Sequence, residues 1–141
     1  MERRKFITLG AAGITAGSIP GIAVAGIQNK EKRYQKGKSP WPVCLDTATI
    51  RPASLKEKVR IAAKAGYDAI EPWDGELQKF EADGGNLKDL GKEIRDNGLF
   101  VPSVIGLWNA LPPTKELWDK SLADTRNRMR MASDIGAQHI Q

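Results

Sequence analysis

From Val43 onward, short apolar runs alternate with stretches in which apolar residues recur every three or four positions. Val43-Cys44-Leu45 reads as a first strand ending at Asp46-Thr47. Ser54 then opens a helix, with Glu57 three residues later in the arrangement of a capping box. Leu55, Val59, Ala62 and Ala63 fall on one face of that helix, and Gly66 supplies the left-handed stop. Tyr67 to Glu71 is the second strand, closed by Pro72. Asp74 to Gly85 is polar and reads as a loop leading to Asn86, the next cap. Leu87, Leu90 and Ile94 form a second apolar stripe that ends before Gly98. Leu99 to Ile105 is the third strand, and Gly106 with Pro112-Pro113 marks a long loop. A third helix runs from about Lys115 to Ile135, with Leu117, Leu122, Thr125, Met129 and Ala132 along one side. Gly136 stops it, and Ala137 to Gln141 begins a fourth strand.

The joins Ala65-Gly66-Tyr67, Asn97-Gly98-Leu99 and Ile135-Gly136-Ala137 repeat one device, a glycine between helix and strand. Such spacing fits βα units, whose strands are parallel because each helix carries the chain back to the same edge. A doubly wound sheet is complete with about five strands, whereas a barrel takes eight in roughly 250 residues. Residues 41–141 hold three units and one strand. Parallel strands are covered on both faces, and the fourth has no helix after it. The expectation is therefore an α/β chain that is part of something longer.

Charge is distributed unevenly. The chain has 22 Lys and Arg against 17 Asp and Glu, a net of +5. Arg3, Arg4 and Lys5 against Glu2 give residues 1–25 a net of +2, and Lys30, Lys32, Arg33, Lys36 and Lys38 against Glu31 give 26–40 a net of +4. Residues 41–141 therefore carry −1 of the total. A nucleic-acid interface is not expected on a near-neutral domain. Its one dense basic cluster, Arg126, Arg128 and Arg130, spreads around a helix and reads as solvated surface. The single Cys44 closes no intramolecular bridge and reads as a small core residue.

The first 25 residues have a basic start, an uncharged run from Phe6 and a small-x-small site at Ala23-Val24-Ala25, the layout of a cleaved export signal. Arg3-Arg4-Lys5-Phe6-Ile7 resembles the twin-arginine motif, departing from it at Glu2 and Thr8. The alternative, an uncleaved membrane anchor, has the length but too much Gly, Ser and Thr for stable insertion. Residues 26–40 read as a basic flexible linker, with the folded part starting near Pro40-Trp41-Pro42. The expected location is periplasmic, reached through the export machinery.

The segment from Leu55 to Glu71, LKEKVRIAAKAGYDAIE, resembles the first helix and second strand of xylose-isomerase-like barrels, the sugar (phosphate) isomerases and epimerases. Ile94-Arg95-Asp96-Asn97-Gly98-Leu99 and Met131-Ala132-Ser133-Asp134-Ile135-Gly136-Ala137 are similar to the next two joins of that family. The resemblance implies an α/β fold, a partial (β/α)8 TIM barrel of about three βα units plus a fourth strand. It implies proton transfer next to a carbonyl, exchanging aldose and ketose forms of a small-molecule carbohydrate. It also implies a divalent metal in the complete barrel, held by Glu, Asp and His on later strands, so no metal ligand carries over to this chain.

What the resemblance leaves here is the first wall of a pocket. Strand ends place Asp46, Glu71, Trp73, Trp108 and Asn109 as pocket candidates. Glu71 matches a family Glu that points into the barrel mouth, and it could equally serve by bonding neighbouring strand ends. Trp73 and Trp108 could stack on a sugar or simply pack. Asp46 could cap its loop or face the pocket, and His139 is expected to be structural or exposed. The leading expectation is the N-terminal part of an exported sugar isomerase or epimerase-like protein, inactive alone. The alternative is an exported, non-catalytic half-barrel, carbohydrate-binding or structural, that associates with itself through open strand edges.

Overall fold

Glycine and capping residues set the limits of the helices, and the strands between them fall into a parallel line. The structure, a computed structural model, describes residues 34–141. Arg3, Arg4 and Phe6, read above as an export signal, and residues 26–33, read as linker, lie outside the described residues. The elements are β1 (Cys44–Asp46), α1 (Leu55–Ala65), β2 (Ala69–Glu71), α2 (Asp74–Ala82), α3 (Leu87–Asp96), β3 (Ser103–Val104), α4 (Lys115–Ile135) and β4 (His139–Ile140). β1 pairs with β2 in parallel, with Leu45 opposite Ile70. Parallel bridges at Ala69–Phe100 and Trp73–Ile105 join β2 to the β3 segment, and β3 pairs in parallel with β4. Neighbours in sequence are thus neighbours in space, in the order β1-β2-β3-β4. That is the order in which a (β/α)8 barrel winds, and this chain forms part of one.

The core lies between this sheet and the helices. Leu45, Ile70 and Val104 project from the strands, Val101 from the segment leading into β3, and Val59, Leu77, Leu90, Ile94, Met131 and Ile135 meet them from the helices. Ser54 caps α1 as the capping box requires: its hydroxyl accepts from Glu57 N while the Glu57 carboxylate accepts from Ser54 N at 2.8 Å. Glu57 is held below the usual carboxylate range, chiefly by the Ser54 hydroxyl and then by its backbone N–H. α3 packs along α4 so closely that a side chain at Gly91 would meet the Ile135 carbonyl at 2.6 Å.

Four sequence expectations need correction or sharpening. The polar stretch Asp74 to Gly85 contains α2, not an open loop. Only Leu77 of this helix is a fully buried apolar residue, with Phe80 partly buried one turn on, so its apolar stripe is too narrow to stand out. Leu99 to Ile105 is not one regular strand. Val101 and Val104 both face the core, and the odd spacing around Pro102, which has no N–H to give a ladder, leaves only Ser103–Val104 regularly paired. The buried side of α4 is Thr125, Met131, Ala132 and Ile135, while Leu117 and Met129 are exposed. Cys44 is exposed as well: it lies on the sheet face opposite Leu45, away from the helix-covered core.

Residues 34–40 of the presumed linker have a defined shape. Tyr34 and Ser39 pair across a turn that includes a 3-10 segment at Gln35–Gly37. The Gln35 side chain donates to Asp68 Oδ2 at 2.6 Å and to the Gly66 carbonyl at 3.0 Å, and the Tyr34 ring lies 6.2 Å from that of Phe100. Burial opposes ionisation of Asp68, but hydrogen bonds from Val43 N and from Gln35 outweigh it and hold the carboxyl low.

Candidate ligand-binding site at the strand ends

Side chains opposite each other on paired strands share a face. Asp46 and Glu71 are such a pair, and their neighbours Leu45 and Ile70 are buried toward the helices. The two carboxylates therefore stand side by side on the other face, at the C-terminal ends of β1 and β2. Cys44 shares that face. Its thiol is pushed up to about 11, first by desolvation of the partly enclosed sulfur and then by the charges of Glu71 and Asp46.

Each carboxylate is anchored through one oxygen. Asp46 Oδ1 accepts from Ala48 N at 2.8 Å, which caps the 3-10 turn Thr47–Ile50, and from Trp73 Nε1 at 2.9 Å. Glu71 Oε1 accepts from the Ser103 hydroxyl and from Gln141 Nε2 at 3.1 Å. Among the described residues, Asp46 Oδ2 and Glu71 Oε2 accept no side-chain or backbone hydrogen bond. The structural role open to Glu71 is thus occupied, tying β2 to β3 and to the end of β4, and half of its acceptor capacity remains.

Trp73 is fixed at both ends, by its ring N–H on Asp46 and by its backbone N–H, which donates to Glu76 Oε2 at 3.0 Å. Its indole meets that of Trp108 at a centroid distance of 6.1 Å, tilted by 41°. Trp108 is 51% exposed. Asn109 follows it in the left-handed region at φ 57°, exposed and turning the loop. Asp46, Glu71, Trp73 and Trp108 are therefore linked by hydrogen bonds, strand register or ring contact. Among the described residues, Asn109 makes no hydrogen bond to any of the four. His139 is exposed.

Two charged groups under this rim escaped the sequence reading. Lys58 is 2% exposed. Its Nζ donates to the Thr47 carbonyl at 3.0 Å and pairs with Glu76 at 2.5 Å, and Glu76 also accepts from the Thr47 hydroxyl. Arg128, read as solvated surface, reaches inward to Asp74 and to two carbonyls of the β3–α4 loop. Arg130 pairs through both terminal nitrogens with Glu81, at 2.9 and 2.6 Å. The signal was present: Lys58 occupies a position of the stripe Leu55, Val59, Ala62, and Arg128 stands between Thr125 and Ala132 on theirs. A charge inside an apolar stripe must find a partner when the stripe is buried.

Beside Trp73, a groove of about 370 Å³ is lined by Ala48, Arg51, Lys58, Trp73 and Glu76. Among the described residues no three His, Cys, Asp or Glu side chains converge on one point as a metal site requires. With Glu71 Oε1 and Asp46 Oδ1 already occupied, the residues present do not fit a divalent metal by themselves. No helix among the described residues is long and apolar enough to cross a membrane.

Comparison with known proteins agrees with this geometry. The profile of the xylose isomerase-like TIM barrel family matches residues 59–141. A structure of a protein from Sinorhizobium meliloti 1021 is 29% identical, covering 68% of this chain and 34% of its own, with a TM-score of 0.55. A xylose isomerase domain protein from Alicyclobacillus acidocaldarius is 20% identical over 70% of this chain and 35% of its own, with a TM-score of 0.55. The probable 3-DHS dehydratase AsbF, involved in petrobactin synthesis in Bacillus anthracis, is 16% identical over 71% and 37%, with a TM-score of 0.58. The last two likenesses concern the fold alone. The chain spans about a third of the length of these solved structures. No curated protein matches it by sequence.

Proposed function

Because the chain belongs to the xylose isomerase-like TIM barrel family, we propose that it supplies the first wall of a carbohydrate pocket in an exported sugar isomerase or epimerase-like protein. The observation that carries this reading is the rim itself: two anchored carboxylates, each with a free oxygen, beside two indoles at parallel strand ends. A sugar offers hydroxyl donors along its edges and C–H groups on its faces. Carboxylate oxygens accept the first, and an indole face accommodates the second. In this chain those residues bind and orient, and the proton transfer belongs to groups of the complete barrel. A divalent metal, where the complete barrel holds one, takes its ligands from other side chains. The chain alone is then a binding wall without turnover.

Titration with free pentoses and hexoses, followed by tryptophan fluorescence, tests the binding. Saturable quenching that is lost in Asp46→Asn and Trp73→Phe supports it, and a flat response in the folded chain removes it. The isomerase class is tested by the downstream reading frame: strand ends there without Glu, Asp or His would leave proton transfer no machinery. The export reading rests on Arg3, Arg4 and Phe6. It is tested by fractionating cells that express the chain, with retention in the cytoplasm expected for Arg3→Lys with Arg4→Lys.

A second reading, a non-catalytic half-barrel that associates with itself, is favoured by the exposed apolar side chains Leu111, Leu117 and Trp118. Light scattering separates the two, since a discrete dimer supports the second reading and a monomer that binds sugar supports the first.

A further inference from the structure

Trp108, 51% exposed, stands against Trp73 at the rim. Its loop, between β3 and α4, begins at Gly106 with φ 142°. There a side chain would place its first carbon 2.3 Å from the Asp74 carboxylate, so the loop can lie against Asp74 only because residue 106 is glycine. One guanidinium bridges the two. Arg128 NH1 donates to the Gly106 carbonyl at 3.0 Å and to the Trp108 carbonyl at 3.1 Å. Its Nε lies 3.3 Å from Asp74 Oδ2, and NH2 lies 2.8 Å from Asp124 Oδ2.

The Arg128 and Asp74 side chains are only 14% and 10% exposed. Nε is buried and makes no hydrogen bond, so Asp74 acts on it through charge, while the directed bonds of NH1 go to the loop. Asp74 also follows Trp73 directly, so the ion pair ties the turn that carries one indole to the loop that carries the other.

We infer that Arg128 is a positioning residue: with Asp74 as its counter-charge, it fixes the backbone of the Gly106–Trp108 loop so that Trp108 closes on Trp73 and completes an aromatic wall. Trp73 has its own holder in Asp46, and Arg128 is the corresponding holder of Trp108. Planarity and the number of donors are what suit arginine here. NH1 clasps two carbonyls while the charge spread over the planar group lies beside two carboxylates, at Nε and NH2, an arrangement that the compact charge of a lysine does not reproduce. The wall's use in gripping a sugar face rests on the preceding proposal, whereas the positioning does not.

The experiment uses the full chain with the exposed Trp41 and Trp118 changed to phenylalanine, leaving Trp73 and Trp108 as the only indoles. Two close, tilted indoles give a coupled circular-dichroism couplet that one alone cannot give, and Trp108→Phe sets the zero. Arg128→Lys keeps a cation for Asp74 and Asp124 but loses the double carbonyl clasp. The expected result is a folded protein whose couplet falls to less than half of the parent amplitude, with Asp74→Asn showing a smaller loss. Arg128→Met removes the charge as well, and if it fails to fold, Arg128→Lys decides. A folded Arg128→Lys variant with the parent couplet overturns the inference, even if its melting temperature drops. Sugar titration of the same proteins separates the two proposals. A couplet lost with no sugar bound by the parent removes the carbohydrate reading and leaves Arg128 in place.

Discussion

Cys44 carries the only thiol of the chain and shows how a single position reports the strand-end face. An exposed cysteine ordinarily ionises near 8.5, yet this one is pushed up to about 11 by desolvation and by Glu71 and Asp46. Both carboxylates disfavour a second negative charge beside them. Alkylation by iodoacetamide, which needs the thiolate, is therefore expected to be slow at neutral pH. Its rate should keep rising well above the pH at which an unfolded control levels off. Glu71→Gln removes one of the two charges and should move the midpoint down part of the way, because desolvation is the larger cause. An unchanged midpoint would mean that the Glu71 charge does not reach the sulfur. The same residue scale explains why Glu71 could not be assigned from sequence. Its bond to Ser103 spans 32 positions and its bond to Gln141 spans 70, separations bridged only because the strands lie side by side in the fold.

At the scale of elements, α1 and α2 are joined by a charge pair with a buried lysine instead of by apolar contact alone. Lys58 from α1 meets Glu76 from α2, and Glu76 in turn receives Thr47 and the backbone of Trp73. Removing Glu76 leaves the buried Lys58 charge uncompensated, so Glu76→Ala should lower the unfolding free energy by about 3–5 kcal/mol. Urea midpoints measure this, and the double variant Lys58→Met with Glu76→Gln should recover part of the loss because no lone charge remains. Leu77 is the buried anchor of α2. Leu77→Ala should cost about 2–5 kcal/mol if residues 74–82 form the packed helix, whereas a surface loop would lose only a few tenths. α2 was missed in the sequence for a physical reason. Most of its length is solvated, and its start is held by Glu76 reaching back to Trp73 N, a tie that depends on where β2 ends. α1 was legible because Ser54, Glu57 and Gly66 are local signals, each acting within one turn of the chain.

Over the whole described domain, the earliest residues are stitched to a distant turn by one carboxylate. Asp68 receives Val43 N and both the side chain and backbone of Gln35. Its folded value is depressed, so the stabilisation it supplies is present above its ordinary pKa and is lost as pH falls through the depressed folded one. Glu57 acts in the same direction at the start of α1. Melting temperatures should therefore hold steady on acidification until about pH 4 and then decline, and Asp68→Asn should flatten that decline while lowering the plateau. Equal acid slopes for the two proteins would count against the stitch.

The sequence by itself determined the alternation of strands and helices, the glycine stops, the parallel order and the family, because each is written in local periodicity or in a contiguous motif. It also placed Asp46, Glu71, Trp73 and Trp108 at strand ends, since each directly follows or closes an apolar run. It misplaced the exposed Cys44 and Met129, which sit on faces whose cover is decided by neighbours far along the chain. Tertiary structure alone decided that Lys58 and Arg128 turn inward. A charge on an apolar stripe is solvated in an isolated helix, and becomes a structural member only when another element brings a carboxylate to meet it. The same holds for the rim, whose carboxylates share a face because β1 and β2 pair in one register and no other.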